Sequence, residues 1–180
     1  MASFDHYADE FLSRTGEIMW CTVTTVDTKG QPRSRILHPI WEVIDGFPVG
    51  WVVTSKTPVK TAHIAANPHL ACMYWNPDQN TVSIDCVARW CSDEEKAHVW
   101  NLFMTTPPPL GYDLSGFGDD RWRNPLFEPL RLDPWRVQFL LAEQLATMNL
   151  VPRTWRKPSS TQCPSKGGGH GGTRSQGNGP

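Results

Sequence analysis

Thr54-Ser55-Lys56-Thr57-Pro58-Val59-Lys60, running on to Ala65-Ala66-Asn67-Pro68, is the stretch on which the reading of this chain turns. It follows the apolar run Phe47–Val53 and opens a helix expected over Val59–Ala66, which Asn67-Pro68 ends. Hydroxyls and two lysines therefore gather where a strand hands over to a helix. Backbone N–H groups at a helix start favour an anion, and Lys and Thr side chains add charge and donors. A phosphate suits such a place. About twenty residues upstream, Arg33-Ser34-Arg35 sets two more cations beside another apolar run. Two separate strand ends with phosphate-type donors imply a phosphorylated cofactor.

Outward from that stretch, strand patterns predominate. Ile18–Val26, Ser34–Val43, Phe47–Thr54, Leu70–Trp75, Thr81–Trp90, Leu132–Leu141 and Leu145–Trp155 read as strands, rich in Val, Thr, Trp and Leu. Asp27-Thr28-Lys29-Gly30, Asp45-Gly46 and Asn76-Pro77-Asp78 read as turns between them. Phe4–Ser13 places Phe4, Tyr7, Ala8, Phe11 and Leu12 on one helical face. Ser92-Asp93-Glu94-Glu95 caps a further helix expected through Met104. Thr105–Pro129 is Pro/Gly-rich and reads as irregular. This pattern predicts a mainly β chain, a six- to seven-stranded antiparallel barrel, closed or partly open, with few helices. There is no GxGxxG after the first strand and no Walker loop, so any phosphate must be held by side chains at strand ends.

Composition bounds the function. The chain has 180 residues and a net charge of −1, enough for one domain and not the balance of a nucleic-acid binder. Its cations concentrate at the end: Arg153 and beyond contain Lys and Arg but no acid, and the Gly-rich segment 158–180 is expected to be a disordered basic tail behind a folded domain 1–157. Nine Trp suit a core, a dimer interface or a stacked ring. The five Cys are odd in number and form no CxxC pair, so they read as free thiols of a cytoplasmic protein. No apolar signal core and no membrane-span window occurs. His63 and His69 lie six apart with no Cys or acid at ligand spacing, so no metal site is expected.

Taken together, the strand–turn–strand with Asp-x-x-Gly-x-Pro, then Thr-Ser-x₄-Lys, then Asn-Pro resembles the pyridoxamine 5′-phosphate oxidase-like, FMN-binding split-barrel superfamily. The likeness spans about Ile18 to Val137 and includes Leu130–Val137 as the family's late strand. It implies that Arg35-Ile36-Leu37-His38 matches the family's run along the flavin and its phosphate, and that Val53-Thr54, Ser55 and Lys60 match its phosphate-side group. Thr81 falls where the family usually has Gln, with Gln79 two residues away, and Val59 falls where a basic residue is common. True pyridoxamine-phosphate oxidases carry a C-terminal block of Arg, His and Asp that grips substrate phosphate. This chain ends instead in Val151–Trp155 and glycines, so pyridoxine chemistry is not implied. The resemblance implies a homodimer that binds FMN, with the deazaflavin F420 or haem as alternatives, and an oxidoreductase acting on a small molecule. A non-catalytic flavin or haem protein of stress or redox function is the competing reading.

Overall fold

The computed structural model describes residues 3–158. Its core is one antiparallel sheet of eight strands: β1 (Cys21–Val26), β2 (Pro32–Leu37), β3 (Ile40–Ile44), β4 (Phe47–Val52), β5 (His69–Trp75), β6 (Thr81–Trp90), β7 (Leu130–Leu140) and β8 (Arg153–Arg156). Four helices accompany it: α1 (Asp5–Ile18), α2 (Pro58–Ala66), α3 (Asp93–Thr105) and α4 (Ala142–Ala146). The fold class expected from the sequence holds, as a mainly β split barrel whose sheet is not closed. No helix among the described residues is long and apolar enough to cross a membrane. The tail expected over residues 158–180 lies, beyond Pro158, outside the described residues.

Strand order around the sheet is β2-β1-β5-β6-β7-β4-β3, with β8 pairing the far half of β7. β2 and β3 are thus opposite edges, although only His38 and Pro39 separate them in the chain. Leu37 and Ile40 can be no more than roughly 11 Å apart, because three residue steps span no more. The sheet must therefore roll until its two edges nearly meet, and a split runs between them. This corrects the single strand expected over Ser34–Val43. Pro39 cannot donate to a ladder, so the chain leaves β1 at Leu37 and pairs with β4 from Ile40 on.

Local chemistry explains the other elements. Thr57 caps α2 by accepting from the Lys60 N–H at 3.3 Å, and Pro58 sits in its first turn. Asp45 and Gly46 both take positive φ, 52° and 76°, as a two-residue hairpin twisted to match its strands requires. α1 runs to Ile18, past the Ser13 expected, and Met19 at φ 64° ends it, so the following strand starts at Cys21. Residues 145–155 do not form the long final strand expected. Buried Gln144 bonds the Leu141 N–H at 3.1 Å and the Val151 carbonyl at 2.8 Å, which ties down a helical turn and leaves only β8 extended.

Two apolar clusters fill the molecule. One lies inside the barrel under α1, with Phe4, Phe11, Trp41, Tyr74, Phe139 and Trp155. The other lies beneath α3, with Trp51, Val99, Trp100, Phe103 and Phe127. Gly50 is required by the first: a Cβ there would stand 2.5 Å from the Trp41 ring.

Glu95 fixes α3 to the sheet. Its carboxylate takes both terminal nitrogens of Arg89 at 2.7 and 2.6 Å, Arg131 at 2.9 Å and the Ser92 N–H at 2.9 Å. The Arg89 hydrogen bonds in particular hold its pKa down to about 2. Because the folded value is depressed, this stabilisation is present above the ordinary carboxylate range and is lost as pH falls from about 4.5 through about 2. Glu95→Gln should lower stability by about 2 kcal/mol at pH 7. The gap between the two proteins' urea midpoints should narrow towards pH 3; a gap unchanged by pH would contradict this role.

Candidate functional site

The site lies at the split. On β1 and β2 the odd-numbered residues share the inner face, with Val23 opposite Arg35, Thr25 opposite Arg33 and Cys21 opposite Leu37. α2 packs on β1. A small cavity between them is lined by Val23, Thr25, Arg35, Leu37, Thr54, Lys60, Ile64, Leu70 and Leu130. It contains two cations and no carboxylate. Lys60 Nζ donates to Thr54 Oγ1 and, at 3.1 Å, to the Ser55 carbonyl. Arg35 Nη1 donates to Thr25 Oγ1 at 3.0 Å. Neither cation makes a salt bridge among the described residues. Burial first, and then the nearby Arg35 charge, push the Lys60 pKa below its usual value. Two like charges held half-buried without an acid favour an incoming anion.

The other cations near this stretch are already neutralised. Arg33 Nε reaches Asp27 at 3.0 Å. Lys56 Nζ reaches Glu128 at 3.3 Å and lies 5.1 Å from the Trp90 ring centre. The anion-binding character therefore rests on Arg35 and Lys60, not on all four. It does not rest on the helix start either, since Thr57 takes the Lys60 N–H and Pro58 has none.

Beyond Leu37 lies an open, largely apolar slot of about 490 Å³, lined by Met19, Trp20, Ile36, Leu37, His38, Val53, Pro109 and Tyr112. That volume is in the range of small-molecule sites. His38 sits between Trp20, at 5.1 Å between ring centres, and Tyr112, at 5.6 Å. It is buried, and burial lowers its pKa. Tyr112 is pushed up to about 12 by burial, so both side chains are neutral near pH 7. Leu37 lines both pockets, and the pair Val53-Thr54 contributes one residue to each. A charged end and an apolar, ring-lined end thus adjoin.

Of the residues singled out from the sequence, Arg35, Leu37, Thr54 and Lys60 line the cationic cavity, while Ile36, His38 and Val53 line the slot. Ser55 contributes its carbonyl to Lys60. Thr81 is not brought to them. It pairs with Trp75, whereas the cavity residue Leu70 lies near the start of the same strand, roughly 17 Å away at strand spacing. Thr25, Trp20 and Tyr112 carry no signal in the sequence, and His63 enters there only as a metal ligand that is not expected. Thr25 and His63 form a buried contact of 3.3 Å behind Arg35. No local pattern marks these four, because only sheet register and the roll of the barrel bring them here.

Residues 7–106 match the sequence model of the family described as pyridoxamine 5′-phosphate oxidase. The chain belongs to that family. Solved structures agree on the fold. A pyridoxamine 5′-phosphate oxidase-related, FMN-binding protein of Nostoc punctiforme superposes with a TM-score of 0.58 at 13% identity, covering 88% of this chain and 98% of that one. General Stress Protein 26 of Bacillus anthracis gives 0.53 at 15% identity, covering 82% and 99%. A NimC/NimA family protein of Clostridium acetobutylicum gives 0.58 at 10% identity, covering 83% and 92%. No curated protein matches the chain.

Proposed function

We propose that this chain is an FMN-binding oxidoreductase that moves hydride or electrons between the flavin and a small organic substrate, working as a cytoplasmic homodimer. One observation carries the reading: Arg35 and Lys60, unpaired with any acid among the described residues, adjoin an apolar slot with aromatic walls. A phosphorylated molecule with a flat ring needs both ends. Membership supports it, because proteins of this family generally bind FMN. The Nostoc protein is itself described as FMN binding.

The residues fit the group. The cavity beneath the two cations has about 20 Å³, room for a water and not for a phosphoryl group, so the phosphate is met at the rim by side-chain ends. Lys60 and Arg35 neutralise it there. Thr54 accepts from Lys60 and keeps its own proton for a phosphate oxygen. Ile36, Leu37 and Val53 would exclude water from a bound ring, and Trp20, His38 and Tyr112 would line it. When bound, the flavin supplies the redox chemistry. Neutral His38 and Tyr112 place no fixed charge beside it.

The second subunit is read from the outer sheet face. Ile36, Thr22 and Met73 form one row across β2, β1 and β5. Ile36, Met73, Trp75 and Trp20 are all 45–60% exposed, although β1 and β5 are interior strands of the sheet. An apolar outer face beside the slot suits a partner that covers both. By contrast the outer face of β6 and β7 carries Asp85 paired to Arg136, and Gln138. Of the strands that suit an interface by sequence, Ser34–Val43, Thr81–Trp90 and Leu132–Leu141, the first carries the apolar outer face, and β5 extends it. The four buried free thiols, Cys21, Cys72, Cys86 and Cys91, support a reducing setting.

The purified protein's absorbance spectrum, followed by titration with FMN, tests the cofactor. Two visible flavin bands, or fluorescence quenching at micromolar FMN, are expected. A Soret band or a single violet band would replace FMN by haem or F420. Oxidation of NADPH with a quinone as acceptor then separates an enzyme from a carrier.

A further inference from the structure

We propose that His63 is a positioning residue for the phosphate end of this site, acting through Thr25 on Arg35; the inference rests on Arg35 being a phosphate receptor. Three groups form a line inward from the rim. Arg35 Nη1 donates to Thr25 Oγ1 at 3.0 Å, and Thr25 Oγ1 meets His63 Nδ1 at 3.3 Å. Thr25 and His63 are 6% and 8% exposed, so water does not substitute freely for either partner.

Proton counting fixes the direction of the first contact. A guanidinium can only donate, so Thr25 must accept from Arg35. The same oxygen meets His63 Nδ1, either by donating its proton or by accepting through its second lone pair. Among the described residues Thr25 is the only group hydrogen-bonded to the Arg35 side chain. One hydroxyl therefore sets the guanidinium's aim, and His63 sets the hydroxyl. Without His63 the hydroxyl turns about its bond, and Arg35 loses its fixed direction while keeping its charge.

The helix makes this economical. Lys60, His63 and Ile64 stand at i, i+3 and i+4 on α2, one face of the helix. Lys60 meets the anion directly, Ile64 lines the cavity wall, and His63 reaches behind to Thr25. A single rigid element thus places both cations relative to one another.

The test compares FMN with riboflavin, which lacks the phosphate, by quenching of flavin fluorescence in the full chain. His63→Leu should weaken FMN about tenfold and leave riboflavin within about twofold, the scale of one hydrogen bond to a charged group. His63→Asn should restore FMN affinity, since its amide can donate or accept in the place of Nδ1. In an Arg35→Ala background, His63→Leu should have no further effect on FMN, because the two act as one unit. Equal losses for FMN and riboflavin, or no rescue by Asn, would show a merely structural histidine and overturn the proposal. Wild type that binds FMN no more tightly than riboflavin would overturn the phosphate reading itself, and this inference with it.

Discussion

Arg35→Met and Lys60→Met in one chain are expected to weaken FMN binding by about a hundred- to ten-thousandfold, the product of two charge-assisted hydrogen bonds of about 1.5–3 kcal/mol each, less some coupling. Both side chains are half-buried and have no acid partner among the described residues, so methionine keeps their packing stems and removes the charge together with its hydrogen bonds to Thr25, Thr54 and Ser55. Removing either cation relieves its repulsion of the other, which is felt in the lowered Lys60 pKa. The apo double variant should therefore be no less stable than wild type. That combination, tighter or equal folding with far weaker binding, is the signature of a receptor for an anion. Lys56→Met is the control. Its Nζ already has Glu128 at 3.3 Å, and its loss should change FMN affinity by no more than about twofold. Isothermal titration of the variants decides the matter. Equal affinity in wild type and the double variant, or a Lys56 effect as large as the Lys60 effect, would remove the site from this corner of the barrel.

The contrast between those lysines shows what the sequence carried and what it did not. Lys56 and Lys60 sit four apart in one segment and are alike as letters. Helix signals around them were local: the helix expected over Val59–Ala66 is α2, begun one residue earlier at Pro58, and Asn67-Pro68 ends it, as read. Turn chemistry was equally local, so the hairpins at Asp27–Gly30, Asp45-Gly46 and Asn76-Pro77-Asp78 were legible. Family resemblance then brought Arg35, Thr54 and Lys60 together. Yet Glu128, which neutralises Lys56, lies 72 residues away and reaches it only through the fold. Trp20 and Tyr112 meet around His38 for the same reason. Thr25 looked like an ordinary strand threonine, and its value comes from a diagonal across the β1–β2 ladder.

Two misreadings have one physical origin. In Ser34–Val43 and Leu145–Trp155 the side chains suited strands, but backbone hydrogen bonding decided. Pro39 withheld a donor from the ladder, and the Gln144 side chain satisfied Leu141 and Val151 in place of strand neighbours. The first of these matters for function. Had β2 continued past Leu37, the edges would not have parted at His38, and no slot would open beside Arg35. The break in the strand and the opening of the site are one event.

Assembly provides the second large effect. Met73→Glu with Trp75→Glu is expected to turn the proposed dimer into a monomer at micromolar concentration, a loss of about a thousandfold or more in association. Both side chains point outward from β5, where the alternating burial of the strand leaves positions 69, 71, 73 and 75 exposed. Carboxylates there are hydrated in a single chain, so the barrel core of Leu70, Cys72 and Tyr74 is untouched and the monomer should keep its fold. In an apolar interface the same two groups would lose their water with no cation to meet them, since the neighbouring outward residues are Thr22, Ser83 and Ile36. FMN affinity should fall along with dimerisation. Ile36 and Trp20 belong at once to the exposed face and to the slot, so a partner covering the face also closes the slot. The dependence should be visible as FMN binding that weakens on dilution of wild type but is flat for the double variant. Light scattering coupled to flavin absorbance reads both quantities in one experiment. A wild-type monomer that still carries FMN at micromolar concentration would mean that Trp20, His38 and Tyr112 hold the ring unaided.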